Sequence, residues 1–183
     1  VLDSEVYSNT GGQSSKATPM GAVARFASAG KRNAKKDLGL MMMSYGNVYI
    51  AQVSMGANQK QLVTALTEAE AYDGPSLIIA YSPCIAHGVS LRQCAEEERL
   101  AVACGYWPLY RFNPTLLQEG KNPFLLDSPS PTVAFRDFLL RENRFTALKK
   151  SAPEEADKLF MQAELAAKKR IQLYQKLAEI SLN

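Results

Sequence analysis

The chain has 183 residues, 46% of them apolar and 21% charged, with 21 basic against 18 acidic side chains and a net charge of +3. That length is enough to bury one sizeable core. The mild charge gives no reason to expect a nucleic-acid partner, and the basic groups Lys31, Arg32, Lys35, Lys36 and Lys168, Lys169, Arg170 read as solvated helix faces.

Apolar runs such as residues 77–80 are too short to span a bilayer, and no signal peptide or lipidation motif is visible. Cys84, Cys94 and Cys104 are an odd number of cysteines, which fits reduced thiols in the cytoplasm better than a disulfide framework. Val1, Leu2 and Asp3 open the chain without a Met and read as the end of a buried strand. The expectation is a fragment or processed part of something larger, because a strand end without earlier partners begins a domain poorly.

A polar loop follows over residues 4–16. Thr18 and Pro19 are a helix-start pair, and Val23, Phe26 and Ala27 recur at helical spacing, which predicts a helix ending at Gly30. A short Met-rich helix is expected over 37–44, a strand over 48–53 and a helix over 58–72 with Leu62, Ala65, Leu66 and Ala69 on one face. Asp73, Gly74 and Pro75 make a turn. Residues 76–81 form a continuous apolar strand of the kind covered on both faces by helices. A loop over 82–90, a helix over 91–104 stopped by Gly105 and a strand over 107–112 complete an alternation of strand and helix. The fold class is therefore α/β, a parallel open sheet flanked by helices and joined by right-handed crossovers. From Asn113 the composition changes, so the chain divides into an α/β part over 1–112 and a proline-punctuated arm with C-terminal helices over 113–183. The arm carries a helical stretch near 132–149 and a long helix opened at Pro153. Leu159, Ala163, Ala167, Tyr174 and Leu177 form a narrow stripe suited to a peripheral helix.

Open α/β sheets bind ligands in the loops after their strands. Loop 4–16 offers hydroxyl and amide side chains and the pair Gly11-Gly12, which suit a phosphate or a hard metal ion, though the same residues also describe a plain turn. In loop 82–90, Cys84 reads on its own as a small buried hydrophobe. His87 is the only histidine, so the chain supplies no Cys/His pair or zinc set, and it lacks the four thiolates of an iron–sulfur cluster.

The run Glu5-Val6-Tyr7-Ser8-Asn9-Thr10-Gly11-Gly12-Gln13-Ser14-Ser15-Lys16-Ala17-Thr18-Pro19 resembles the signature segment of the pyruvate:ferredoxin/flavodoxin oxidoreductases. Matches continue through Lys36-Asp37-Leu38, Tyr45-Gly46-Asn47-Val48-Tyr49, Glu68-Ala69-Glu70-Ala71-Tyr72, residues 74–81, Gly105-Tyr106-Trp107-Pro108-Leu109-Tyr110-Arg111, Gly120-Lys121-Asn122-Pro123 and Glu142-Asn143-Arg144-Phe145. The resemblance implies the C-terminal half of a thiamine diphosphate-binding domain. Its parent enzyme would decarboxylate pyruvate, transfer the acetyl group to coenzyme A and pass electrons through [4Fe-4S] clusters to ferredoxin or flavodoxin.

By the same resemblance, Ser4 through its hydroxyl and Val6 through its carbonyl are Mg2+ ligands. Ser4, Glu5, Val6, Tyr7, Ser8 and Asn9 form the cofactor-binding segment, with Asn9 next to the thiazolium and pyruvate. The family position of Ser4 is usually Thr, and the hydroxyl is kept. Cys84, in the context Tyr81-Ser82-Pro83-Cys84, is the implied fourth ligand of a [4Fe-4S] cluster, while Cys94 and Cys104 are left as core thiols. The chain has no Gly-Asp-Gly, so an acidic magnesium ligand is expected upstream of Val1, and the isolated fragment is expected to be inactive. A homodimer is the family's usual assembly. The competing readings are a related 2-oxoacid:ferredoxin oxidoreductase, a pyruvate:NADP oxidoreductase, and a non-catalytic α/β interaction module.

Overall fold

Two central strands set the architecture through their alternation of faces. The computed structural model describes residues 1–181, so the last two positions of the stretch 113–183 lie outside it. Among the described residues five strands form one sheet: β1 (Leu2–Asp3), β2 (Tyr49–Val53), β3 (Ser76–Tyr81), β4 (Tyr110–Phe112) and β5 (Phe124–Leu126), in the spatial order β1-β3-β2-β4-β5. Tyr49, Ala51 and Val53 of β2 and Ile78 and Ala80 of β3 pack on one face against Ala65, Leu62 and Ala69 of helix α2 (Gln59–Ala71). Ile50 of β2 and Leu77, Ile79 and Tyr81 of β3 join the larger cluster on the other face. The strand period of two thus divides one short apolar run between two cores. Every residue of β2 is buried, and full burial of each Val or Ile contributes roughly 1.5–3 kcal/mol.

The larger cluster is covered by α1 (Leu38–Met43), α3 (Cys94–Ala103), α5 (Phe135–Leu139), α6 (Asn143–Ser151) and α7 (Pro153–Ala178). Asp37 caps α1 by accepting from the Leu40 amide at 3.0 Å, and Asn58 caps α2 by accepting from Gln61 at 2.9 Å. Phe145, Leu148, Leu159, Phe160, Ala167 and Tyr174 are buried in the same cluster as Ile50 and Tyr110. The stripe on α7 is therefore part of the main core rather than a peripheral contact. Among the described residues no helix is long and apolar enough to cross a membrane.

The α/β class is as expected, but the sheet is mixed. β1, β3 and β2 are parallel, while β4 runs antiparallel to β2 and β5 antiparallel to β4. The reason lies at the end of β2. Buried Glu98 of α3 accepts from Ser54 Oγ at 2.9 Å and from the Gly56 amide at 2.8 Å. This holds α3 at the carboxyl edge of the sheet, so the chain enters β4 from that edge and runs back. Trp107 Nε1 donates to the Val53 carbonyl at 3.0 Å and Gln52 Nε2 to that of Pro108 at 2.6 Å, which secures the entry. Strand pairing consequently begins at Tyr110 rather than at Trp107. The arm after Asn113 supplies α4 (Thr115–Gln118) and β5, the expected helix near 132–149 is two helices, and the 91–104 helix opens with a 3-10 turn over Leu91–Gln93.

The helix expected from Thr18 to Gly30 does not form. Thr18 Oγ1 accepts from the Ser15 amide at 2.9 Å and donates to the Glu5 carbonyl at 2.7 Å, so it is not a cap. The amides of Gly21 and Val23 donate to Lys31 and Arg144 carbonyls, both at 2.8 Å, in place of helical partners. Gly21, Phe26 and Gly30 all have left-handed φ values, which a helix interior excludes. Tertiary hydrogen bonds outweigh local propensity in this segment.

Gly39, inside α1, gives a test of the packing between α1 and the sheet. An added Cβ would overlap the Tyr110 hydroxyl, whose ring is fully buried and packed 5.3 Å from Phe124 and 5.0 Å from Tyr174. Gly39→Ala gains about 1 kcal/mol of helix propensity, and overpacking costs about 1–3 kcal/mol. The variant is expected to be less stable than the parent in urea denaturation of the chain. A raised midpoint would show that Tyr110 can move aside.

Candidate functional site

The carboxyl ends of parallel neighbours β1 and β3 bring loops 4–16 and 82–90 to the same edge of the sheet. The Ser82 amide donates to the Asp3 carbonyl at 3.1 Å, which joins the two loops at their roots. Ser4, Val6 and Cys84 therefore lie in adjacent loops, although 78 residues separate Val6 from Cys84.

Loop 4–16 folds back on itself. The Tyr7 amide donates to the Gln13 carbonyl at 3.1 Å and the Gly12 amide to that of Tyr7 at 2.8 Å, leaving Ser8, Asn9, Thr10 and Gly11 as an exposed tip. Thr10 and Gln13 exchange two further bonds at 2.8 and 2.7 Å. Ser4 Oγ donates to the Val6 carbonyl at 3.1 Å, so the two oxygens expected on magnesium are already neighbours. Adjacent oxygens of a magnesium octahedron, each ~2.1 Å from the ion, lie about 3 Å apart. The pair fits one edge of such an octahedron. Elsewhere on the same loop lies an open cleft of about 440 Å³ whose lining includes Tyr7, Ser14, Ser15, Lys16, Lys31 and Lys36.

Glu5, between these two oxygens, points the other way. It is buried, with φ at +61°, a conformation that costs a residue with a Cβ on the order of 1–3 kcal/mol. Its carboxylate meets Arg144 Nη2 at 2.7 Å, the Tyr106 hydroxyl at 2.6 Å and Lys35 Nζ at 3.1 Å. Burial pushes the carboxyl up, but Lys35 and Arg144 beside it, with hydrogen bonds from Tyr106 and Arg144, outweigh that and hold it at about 2. Arg144 also pairs with buried Glu142, which accepts from the Tyr81 hydroxyl at 3.2 Å. Lys35 reaches Asp3 at 2.6 Å and the Ala17 carbonyl at 3.0 Å, and Lys31 donates to the carbonyls of Ser15 and Thr18 at 2.8 and 2.6 Å. Lys31 and Lys35 are thus half-buried braces of the loop and not part of a solvated helix face, whereas Arg32 and Lys36 are exposed.

Cys84 is a half-buried free thiol. Cys104 is buried in the core, and burial raises its thiol to about 12, which opposes the thiolate a metal requires. Burial also raises the Cys94 thiol, whose sulfur donates to the Ser90 carbonyl at 3.6 Å. Among the described residues no three His, Cys, Asp or Glu side chains form a metal-binding group. Among the described residues Cys84 and Cys94 are half-buried free thiols and Cys104 lies in the core. The Glu5–Arg144 network had no sign in composition or spacing, and its only trace was the presence of Glu5, Tyr106, Glu142 and Arg144 within the matching stretches.

An open α/β sheet with a hydroxyl-and-carbonyl pair and a cysteine loop at one carboxyl edge belongs to the class that binds ligands at strand ends. No protein-family model matches the chain. It is 65% identical over 98% of its length to a pyruvate:ferredoxin oxidoreductase from Moorella thermoacetica and 55% identical over 97% to a pyruvate-flavodoxin oxidoreductase from Klebsiella pneumoniae. It is also 52% identical over 98% to the mitochondrial pyruvate dehydrogenase [NADP(+)] of Euglena gracilis. The chain spans 15% of the length of the first two relatives and 10% of the third. The sequence belongs with the pyruvate:ferredoxin/flavodoxin oxidoreductases, as one segment of such a chain.

His87 provides a check on the buried network. Burial, with Arg144 nearby, lowers its pKa to about 3, so it folds in the neutral form. A depressed histidine contributes full stability above its unfolded value of 6.5, and that contribution is lost as pH falls toward about 3. Glu5 acts only below about 4.5, while Glu142, raised by burial, acts in the opposite sense. Thermal unfolding of the chain and of His87→Gln should therefore diverge between about pH 6.5 and about pH 4.5, with the parent losing more stability on acidification. Parallel profiles would place a charged His87 in the fold.

Proposed function

We propose that this chain is the C-terminal part, over 1–112, of a thiamine diphosphate-binding domain, with a proline-punctuated arm that adds β5 to the same sheet and C-terminal helices over 113–183. The parent enzyme converts pyruvate and coenzyme A to acetyl-CoA and CO2. It passes the electrons through [4Fe-4S] clusters to ferredoxin or flavodoxin. The observation that carries this reading is the placement of Ser4 Oγ and the Val6 carbonyl 3.1 Å apart, in a loop whose root is joined to that of the Cys84 loop. The 65% identity to the ferredoxin enzyme, against 52% to the NADP enzyme, favours the former.

In this reading Ser4 and Val6 supply two uncharged oxygen ligands to Mg2+, which the diphosphate and an acidic residue outside this chain would complete. When bound, thiamine diphosphate supplies the electron sink that loss of CO2 requires. Asn9, on the exposed tip, can donate a hydrogen bond from its amide to the pyruvate carbonyl beside the thiazolium. The flanking residues Tyr7 and Ser8 hold that tip in register. Lys16 and Lys36 give the cleft on the same loop a basic wall for anionic reactants. Cys84 supplies one thiolate to the cluster nearest the thiamine, which places an electron acceptor beside the site where electrons are released. A homodimer in the cytoplasm is part of the same proposal.

Two measurements test it. Pyruvate- and coenzyme A-dependent viologen reduction by the parent enzyme should be abolished in Cys84→Ala, together with cluster absorbance. Activity that survives this change would return Cys84 to a packing role, and absence of reduction with any 2-oxoacid would favour the non-catalytic module. The isolated chain should bind thiamine diphosphate and magnesium weakly in calorimetry, because the acidic ligand is missing. Tight binding would refute the proposed division of the site.

A further inference from the structure

Glu5 lies between the two oxygens assigned to magnesium, and its backbone is in a conformation that only tight external restraint sustains. Its amide, its carbonyl and its Oε2 are hydrogen-bonded, while Oε1 is met only by the ion pair with Lys35. Its amide donates to Asp3 Oδ1 at 2.9 Å, and its carbonyl accepts from Thr18 at 2.7 Å. Its carboxylate meets Tyr106 at 2.6 Å, Arg144 at 2.7 Å and Lys35 at 3.1 Å. Ser4, by contrast, is held among the described residues by no side-chain bond other than its contact with Val6. The Val6 carbonyl also accepts from the Ser8 amide at 3.0 Å, so Glu5 sets the backbone that enters the Ser4–Val6 pair while the turn to Ser8 holds its far side.

Arg144 is the partner that comes from farthest along the chain. It sits on α6, pairs through Nε with Glu142, and accepts at its own carbonyl from the Val23 amide at 2.8 Å. It is locked from several directions while it grips Glu5. A metal site needs its ligands held within about 0.5 Å of the working geometry. Relaxing Glu5 to a negative φ would rotate the peptide that leads to the Val6 carbonyl and displace that oxygen by far more than this.

We propose that Arg144, acting through Glu5, is a positioning residue for magnesium. It fixes the one backbone conformation of residues 4–6 in which the Ser4 hydroxyl and the Val6 carbonyl serve a common ion. A residue in the C-terminal helices thereby sets the affinity of a metal site that it does not touch. The inference rests on the thiamine diphosphate reading above.

The test uses the whole oxidoreductase polypeptide that carries this segment. Thiamine diphosphate uptake is followed by equilibrium dialysis as magnesium is titrated, with bound iron and the unfolding midpoint measured on the same samples. Arg144→Lys keeps the charge and loses the fork that joins Glu5 to Glu142. It should raise the half-saturating magnesium concentration at least about tenfold with iron content unchanged. Tyr106→Phe keeps the buried ring and removes one donor to Glu5, and should give a rise on the order of threefold. In Ser4→Ala the Arg144→Lys change should add little, because both act on one ligand pair. A merely structural ion pair would instead lower the unfolding midpoint and leave the magnesium dependence alone.

Unchanged magnesium dependence in Arg144→Lys and Tyr106→Phe, with iron retained, overturns the inference. Should Arg144→Lys fail to fold, Tyr106→Phe decides on its own, by a raised or an unchanged magnesium requirement. Uptake by the unmodified enzyme that needs no magnesium, or no uptake at all, defeats the thiamine diphosphate reading and the inference with it. Uptake that needs magnesium but ignores the variants defeats the inference alone.

Discussion

Arg144 and Glu5 meet at 2.7 Å with both side chains almost wholly removed from solvent, although 139 residues separate them in the chain. Removing two charges from water costs several kcal/mol each, and their mutual attraction offsets this only when the remaining polar atoms are also satisfied. Tyr106, Tyr81, Glu142 and Lys35 supply much of that satisfaction. The arrangement requires α6, the end of α3 and the loop after β1 to come together at once, since any one of them missing leaves a buried charged group without one of its partners. The first and last thirds of the chain are therefore one cooperative unit at this point, whatever their difference in composition.

A second polar contact shapes the sheet. Glu98, bound to Ser54 and Gly56, keeps α3 beside the carboxyl edge and so reverses the direction of β4. The reversal lets β4 and β5 extend the sheet on the side away from β1 while α7 closes over the larger core. The edge formed by β1 and β3 is left to loops alone. Rigid strands fix where those loops begin, and the loops themselves carry the hydroxyls, carbonyls and thiol that a buried strand has no way to present.

The division of labour within the candidate site follows from this. Half-buried Ser4 and Val6 bring two uncharged oxygens together, Cys84 stands in the neighbouring loop, and Glu5, Lys31 and Lys35 nearby hold the backbone. Glu5 sits in the middle of the segment that resembles a cofactor site, yet its carboxylate is an internal support. Lys31 and Lys35 likewise serve the loop's carbonyls, despite a spacing that reads as a surface cluster.

Much of this was legible in the sequence. The strand 76–81 has the bounds its apolar run predicts, and Asp37 and Asn58 cap the helices that follow them, because burial pattern and capping are local properties of a few adjacent residues. The resemblance carried by the segment through residue 19 named Ser4, Val6 and Asn9, that of Tyr81-Ser82-Pro83-Cys84 named Cys84, and the fold sets Ser4, Val6 and Cys84 in adjacent loops. Sequence reasoning failed where a distant partner decides the outcome. Thr18 and Pro19 signal a helix, but the Thr18 hydroxyl is spent on Glu5 and Ser15, and Gly21 and Val23 bond to Lys31 and Arg144 instead of to their own turn. The direction of β4 and the inward turn of Glu5 depend on Glu98 and Arg144, contacts across 44 and 139 residues that no periodicity encodes. Local hydrogen bonding and hydrophobic spacing determined the elements, and long-range satisfaction of buried charge decided how they are joined.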